Sequence, residues 1–396
     1  MKTFDNAGLA ALLALTTVAT VMGIDGTLAA MPAVAAAFGA TREDTQLTLS
    51  LFMVGIAVGQ LFHGPLSDRW GRKPAILAGI LLNIAATVAC ALATSIEMLM
   101  VARFVHGFAA ATGWIISRAV VRDRFERSES ARVISVMMFF HAVAPLTSPI
   151  LGAELTAQFG WQAMFVFIAV YNVGVAALYF AIFRETIPAR NPNALRFAPM
   201  FRSFAEIARS GPFWAYTACS AAAYGFLFSF LGASSYVIIS GFGESERTYG
   251  LMFAACMTGS MSGTFLGARL VTRWGADPLL RFGMALAVCG GIFMAALSWA
   301  GIREAWAIFV PMFFCLMAFA LIFPQSVAGA LQPFPHIAGA ASSFIGFVQQ
   351  IVGAATGVVV ASLSAGTQSA IAYGILFWTL FGLAAYWGMV RRHRTI

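Results

Sequence analysis

Gly64-Pro65-Leu66-Ser67-Asp68-Arg69-Trp70-Gly71-Arg72-Lys73-Pro74 lies between two long apolar runs, 47–63 and 75–93. Two glycines and two prolines in eleven positions predict a tight reversal. Glycine accepts positive φ, and proline cannot extend a helix. Asp68, Arg69, Arg72 and Lys73 put four charges at the turn, three of them positive. A basic hairpin between two membrane-length helices stays on the cytoplasmic side of a bilayer.

The rest of the chain fits that setting. It is 60% hydrophobic and only 10% charged, where a soluble domain carries roughly 25% charged residues. Cutting at charges and turn residues gives twelve apolar segments. Most are about 20 residues long, the length a helix needs to cross ~30 Å of hydrocarbon. The first, 8–37, ends in small residues resembling a cleavage site, but its apolar stretch is too long for a signal peptide and reads as a retained helix. The five cysteines fall inside spans and form no CxxC pair, so neither a metal nor a disulfide framework is expected.

The net charge of +8 is a matter of topology. With the N-terminus inside, Arg42, Arg247 and Arg303 are outside, Arg103 is within a span, and the other 20 of the 24 Lys and Arg, from Lys2 to Arg394, are cytoplasmic. Both termini are then cytoplasmic, and nucleic acid is not an expected partner.

Asp25, in Met22-Gly23-Ile24-Asp25-Gly26, is the only carboxylate deep in a span. An ionised carboxylate there costs several kcal/mol unless paired or protonated. It therefore reads as a proton or cation site, or else as a cap on a helix break between the two glycines. Arg103 sits about 9 Å into span four and must face a cavity, a partner or the outer interface. As the only deep opposite charges, Asp25 and Arg103 are expected to interact. Asn83 reads as a contact between helices. His141 lies near the middle of span five and reads as a packing residue or a proton relay. Span seven carries Tyr224 and Phe228 among six aromatics, which pack the core or suit a bulky apolar ligand.

The opening hairpin, G-P-L-S-D-R-x-G-R-K-P, resembles the signature between helices two and three of the major facilitator superfamily. The segment from Arg103 through His106 and Gly107 to Ala111 is similar to that family's R-x-x-q-G-x-g-a-a motif, with histidine where glutamine is usual. The stretch from Ala144 to Ala153 resembles its antiporter motif: Pro149 and Gly152 match, Pro145 adds a second kink, and Ala144, Ser148 and Ala153 replace glycines. Phe334-Pro335-His336-Ile337-Ala338-Gly339-Ala340-Ala341-Ser342-Ser343 resembles the Bcr/CflA branch of drug exporters. In span one this chain lacks a tyrosine and a proline usual in that branch. An offset of 204 residues pairs Arg69, Trp70, Gly71, Pro74 and Gly79 with Arg273, Trp274, Gly275, Pro278 and Gly283, a parallel repeat. The chemistry does not repeat, since Asp25 maps to Ser229 and Arg103 to Ala307.

The resemblance implies an all-α membrane protein of twelve transmembrane helices in two pseudo-symmetric six-helix bundles, 1–184 and 212–396, joined by a cytoplasmic linker at 185–211. It implies a proton-coupled exporter of small amphiphilic drug-like compounds in a bacterial inner membrane, monomeric and without cofactor or metal. A metabolite or sugar transporter of the same fold is the alternative, and an enzyme the weakest reading, because no catalytic motif appears. On this reading Asp25, Arg103 and His141 couple protons. Asp25, His106, Trp114, Tyr224, Phe228 and Gln349 line the substrate cavity. Gly64, Asp68, Arg69, Gly71, Arg72 and Lys73 form the gating motif.

Overall fold

The computed structural model describes residues 6–125, 127–192, 194, 197–364 and 367–390. Lys2, Arg196, Arg391, Arg392 and Arg394, part of the charge pattern above, lie outside them. Among the described residues there are helices and turns but no strand, and twelve helices are long and apolar enough to cross a membrane. With no water in a bilayer core, a spanning segment must satisfy its own backbone polar groups, and a helix does so. The chain is a multi-pass membrane protein. Contacts divide it into two compact units: residues 1–40 with 47–197, and residues 41–46 with 198–396.

In the first unit, α1 (Asn6–Asp25) and the short α2 (Met31–Phe38) together occupy the first span. α3 (Arg42–Trp70), α4 (Arg72–Ala91), α5 (Ile96–Arg124), α6 (Arg127–Phe159) and α7 (Ala163–Ile182) follow. α1 packs on α5, α6 and α7, and α4 on α5 and α7. Asn172 on α7 donates to Asn83 on α4 at 3.2 Å, so Asn83 does join two helices.

The second unit begins with α8 (Phe197–Ala208), a short helix inside the segment expected as a linker. Its spans are α9 (Gly211–Leu231) continued by a π-helical segment (Tyr236–Gly241), α10 (Glu246–Trp274), α11 (Ala276–Trp299), α12 (Trp306–Leu331), α13 (Ala338–Leu363) and α14 (Ser369–Ala385). The packing repeats: α9 lies on α12, α13 and α14, and α11 on α12 and α14.

Two expectations about the chain path are corrected. The reversal does not begin at Gly64. α3 stays helical through Gly64 and Pro65 to Trp70, and the chain turns only at Gly71, where φ is +107°. Pro65 lacks the N–H that would reach the Leu61 carbonyl, yet α3 continues through it, and further along the Ser67 hydroxyl donates to the Gly64 carbonyl at 2.9 Å. The first span is not one helix either. It breaks after Asp25, and residues 26–30 form turns before Pro32 opens α2.

The 204-residue repeat also runs further than the hairpin. Gly55 and Gly59 on α3 map to Gly259 and Gly263 on α10. A Cβ at Gly55 or Gly59 would land on the α5 backbone or Ala111, and one at Gly259 or Gly263 on the α12 backbone. In each unit this small-x-x-x-small pair lets two helix backbones touch, the usual way membrane helices gain packing energy. The break repeats too, since α9 is interrupted at Gly232–Ala233, the counterparts of Leu28 and Ala29.

Candidate functional site

The break in the first span organises the first unit's site. In a continuous helix the Gly23 carbonyl would accept from the N–H four residues on. Here the Arg103 guanidinium donates to it from α5 at 2.9 Å, and the Thr27 hydroxyl donates at 3.1 Å. A cation at the C-terminal end of a half-helix satisfies orphan carbonyls and opposes the helix dipole. Arg103 is 1% exposed, so it does not reach the outer interface. Its guanidinium lies 4.3 Å from the Phe52 ring centre and 5.6 Å from that of Phe165.

Arg103 Nη1 lies 3.2 Å from His106 Nδ1. Arginine only donates, so Nδ1 is the acceptor and the ring carries its proton on Nε2. Nε2 is buried and has no partner among the described residues. His106 also meets Phe52 edge-on at 4.7 Å. Asp25 follows Gly23 by two residues and is 8% exposed. The expected pairing of Asp25 with Arg103 takes a different form: no ion pair joins them, and Arg103 is spent on the backbone just before the carboxylate. Among the described residues the Asp25 carboxylate has no hydrogen-bond or ion-pair partner.

The antiporter-like segment closes on the same break. Pro145 and Pro149 lie inside α6, which remains one helix. Gly152 touches the Gly26 carbonyl so closely that a Cβ would collide with it. His141 is elsewhere. Its ring lies 5.0 Å from that of Trp114, over which Arg118 places its guanidinium at 4.6 Å. Trp114 is eleven residues from Arg103 on α5, about 16 Å along the axis. The structure therefore joins His141 to Trp114 and does not bring it to Arg103.

The hairpin is a network. Arg72 donates to Asp68 and Ser67, each at 2.6 Å, and to Asp123 at the end of α5 at 2.7 Å. Lys73 donates to the Phe180 carbonyl at 3.2 Å. Arg69 is exposed and stands outside the network, while Gly64 packs towards Ile115. Glu185, which the sequence reading passed over, accepts from the backbone N–H groups of Arg72, Lys73, Thr186 and Ile187 at 2.9–3.2 Å. Partial burial pushes its carboxyl up, but those four donors outweigh it and hold the group below its ordinary value. Glu185 thus caps α4 from the far end of the unit, and position 71 takes glycine because φ there is +107°, with the Glu185 carboxylate close against it. The only hint in the sequence is a lone carboxylate just after span six.

The second unit has an aromatic cluster of its own. Tyr224 lies 5.9 Å from Phe228, 5.9 Å from Phe319 and 5.8 Å from Phe323. Phe319 and Phe323 stack at 5.3 Å. These two α12 residues were missed, although their four-residue spacing puts them on one helix face. Phe228 packs over Gly353 on α13, one turn beyond Gln349. Gln349 is 4% exposed, and its Nε2 has no partner among the described residues. α9, α12 and α13 carry no charged side chain.

The Major Facilitator Superfamily model matches residues 13–358. A bicyclomycin resistance protein homolog of Haemophilus influenzae is 30% identical over 371 residues, covering 94% of this chain and 93% of that protein. A chloramphenicol resistance protein of Pseudomonas aeruginosa is 30% identical over 320 residues, covering 80% and 75%. In fold, the chain resembles the xylose transporter XylE from E. coli (TM-score 0.74, 13% identity, 96% and 97% covered). It also resembles a bacterial homolog of the human lysosomal transporter Spinster (TM-score 0.77, 15% identity, 100% and 98% covered). With a superfamily model matching most of its length, twelve membrane-length helices and a repeated six-helix packing, this chain belongs to the Major Facilitator Superfamily and is a transporter, not an enzyme.

Proposed function

We propose that this transporter exports small amphiphilic drug-like compounds across a bacterial inner membrane in exchange for protons, by alternating access. It works as a monomer with both termini cytoplasmic, and the chain divides functionally into 1–184, a linker at 185–211, and 212–396. The observation that carries this reading is the unpartnered carboxylate of Asp25 at a helix break capped by Arg103. A buried carboxylate with no partner gains most by binding a proton or a cation. Arg103, held by the Gly23 carbonyl and His106, keeps a fixed positive charge near Asp25 without neutralising it. The carboxylate can then exist in both forms. Substrate entering beside Asp25, His106 and Trp114 changes the solvation of that carboxylate and so couples its own binding to proton loss.

The names of the relatives, resistance proteins for bicyclomycin and chloramphenicol, support a drug-like substrate. So does the cluster of Tyr224, Phe228, Phe319 and Phe323, with Gln349 as a single amide donor. A sugar would need many more polar partners. Asp68, Arg72 and Asp123 form the latch whose making and breaking gates the cytoplasmic end, and His141 acts on substrate through Trp114 more directly than on the proton. Drug accumulation in everted vesicles, driven by an imposed proton gradient, tests the reading. Asp25→Asn should abolish gradient-driven accumulation while drug binding persists. Accumulation of sugars or amino acids in place of drugs would overturn it.

A further inference from the structure

At the end of the second unit opposite the Gly275 hairpin lies a polar pocket of about 330 Å³, at the lower end of the range for small-molecule sites. Three helix ends build it, and none has a part in the proposed transport site. Gly241 closes the π-helical continuation of α9, Ser298 ends α11, Arg303 lies in the turn to α12, and Gln368 and Ser369 open α14. Arg303 is the only charged lining residue, and it is exposed. Among the described residues no ion pair engages it. The Ser298 and Ser369 hydroxyls meet at 3.2 Å, so one donates to the other and the second proton stays free for a ligand. The Ala372 N–H bonds the Gln368 carbonyl at 3.0 Å, and the N–H groups before it have no acceptor within α14. Gln368 caps none of them with its side chain. It is 4% exposed, and its Nε2 donates to the Ile302 carbonyl, which fixes how the amide is turned. Its Oε1 is left buried with no partner among the described residues.

We infer that this pocket binds a phosphate group that still carries a P–OH, either hydrogen phosphate itself or a phosphomonoester. The anion sits between Arg303 and the start of α14. A guanidinium forks onto phosphate oxygens, and a helix N-terminus favours negative charge. The P–OH donates to Gln368 Oε1. That acceptor decides the ligand. Sulfate brings similar oxygens and charge but no proton, and it would leave Oε1 buried and unpaired. Once bound, the phosphate ties the ends of α9, α11 and α14 together.

The full chain, purified in detergent, is titrated with inorganic phosphate at about pH 6, where a phosphomonoester is roughly half protonated. Binding is read from the phosphorus NMR line width and from its reversal by sulfate. Phosphate should bind about tenfold more tightly than sulfate, the scale of one hydrogen bond to a charged group. Arg303→Gln, at an exposed position, should weaken phosphate by about the same factor. Gln368→Leu should bring the two anions to equal affinity, and if that variant fails to fold, Arg303→Gln decides alone. A second arm asks whether a lipid brings the phosphate. In nanodiscs, native mass spectrometry compares retention of phosphatidic acid, a monoester, with that of phosphatidylglycerol, a diester without P–OH. Selective binding of inorganic phosphate identifies a free ligand, and selective retention of phosphatidic acid alone identifies a lipid-borne one. Either supports the site. Absence of selectivity in both arms, or binding untouched by Arg303→Gln, would overturn the inference.

Discussion

The hairpins at Gly71 and Gly275 have nearly the same backbone and very different chemistry. Both glycines take positive φ, +107° and +80°, and each joins a long helix ending in Arg-Trp to one with Pro in its first turn. The first is tied by Arg72, Asp68, Asp123 and Glu185. The second has Thr272, Ala276 and Asp277 where the first has Asp68, Arg72 and Lys73. The broken helices contrast in the same way. In the first unit the break holds Asp25, with Arg103 as its cap and Gly152 against Gly26. In the second, Gly357 packs on Gly232, but Ser229 and Ala307 stand in place of the two charges, and the Ser229 hydroxyl bonds back to Gly225 at 2.9 Å. The repeat preserves what packing needs and discards the two buried charges. Charge in a membrane is expensive, so it is kept only where it acts.

The comparison breaks most visibly at Arg103. Arg103→Ala should cost the first unit about 1.5–3 kcal/mol, the range for a hydrogen bond from a charged donor, and should lower transport at least in proportion. Lysine should not rescue it, because an ammonium cannot serve Gly23, His106 and the Phe52 face in one geometry. Ser229→Ala, at the counterpart of Asp25, should cost less than about 1 kcal/mol, since its hydroxyl bonds within its own helix. Thermal unfolding of the detergent-solubilised variants measures both. Equal losses would mean that the two breaks are equivalent after all.

The shared packing is open to the converse test. Gly55→Val and Gly259→Val should each cost about 1–3 kcal/mol by overpacking. Similar drops in thermal stability are expected, and a loss confined to one unit would contradict a common scaffold.

Next in size is the latch. Asp68→Asn removes one carboxylate from Arg72 and should bias the conformational equilibrium by roughly 1 kcal/mol. Turnover in vesicles should fall while drug affinity stays near that of the parent. Unchanged turnover would remove the latch from the mechanism.

The smallest effect belongs to Glu185. Its folded carboxyl titrates below the ordinary value, so its contribution is complete above about pH 4.3, the unperturbed glutamate value. That contribution is lost as the pH falls through the lowered value. The parent should lose stability on acidification faster than Glu185→Gln in paired melting curves. Parallel curves would show that the cap on α4 contributes nothing.

How much of this was legible beforehand follows from how local each cause is. The twelve spans could be read because hydrocarbon thickness sets helix length residue by residue. Asp25 and Arg103 stood out because few ionisable groups lie so deep. Their relation did not, because Arg103 finds a backbone carbonyl that exists only once the helix has broken, and sequence shows side chains far better than freed carbonyls. Pro65 misled for the opposite reason: proline signals a turn locally, yet α3 runs on through it to Trp70. Glu185 and Asp123 lie 113 and 51 residues from Arg72, and only the folded unit brings them to it. Gly55 and Gly259 were visible in principle, had the repeat been followed upstream of the hairpin.

The central claim is that Asp25 is the group whose proton is exchanged for substrate. The most direct test is substrate-induced proton release from the detergent-solubilised protein, followed with a pH indicator in weak buffer. The parent should release protons on drug addition, and Asp25→Asn, which keeps the size and the break, should release none while still binding the drug. Release of as many protons from Asp25→Asn as from the parent would contradict the account and move the coupling site elsewhere, with His141 the next residue to test.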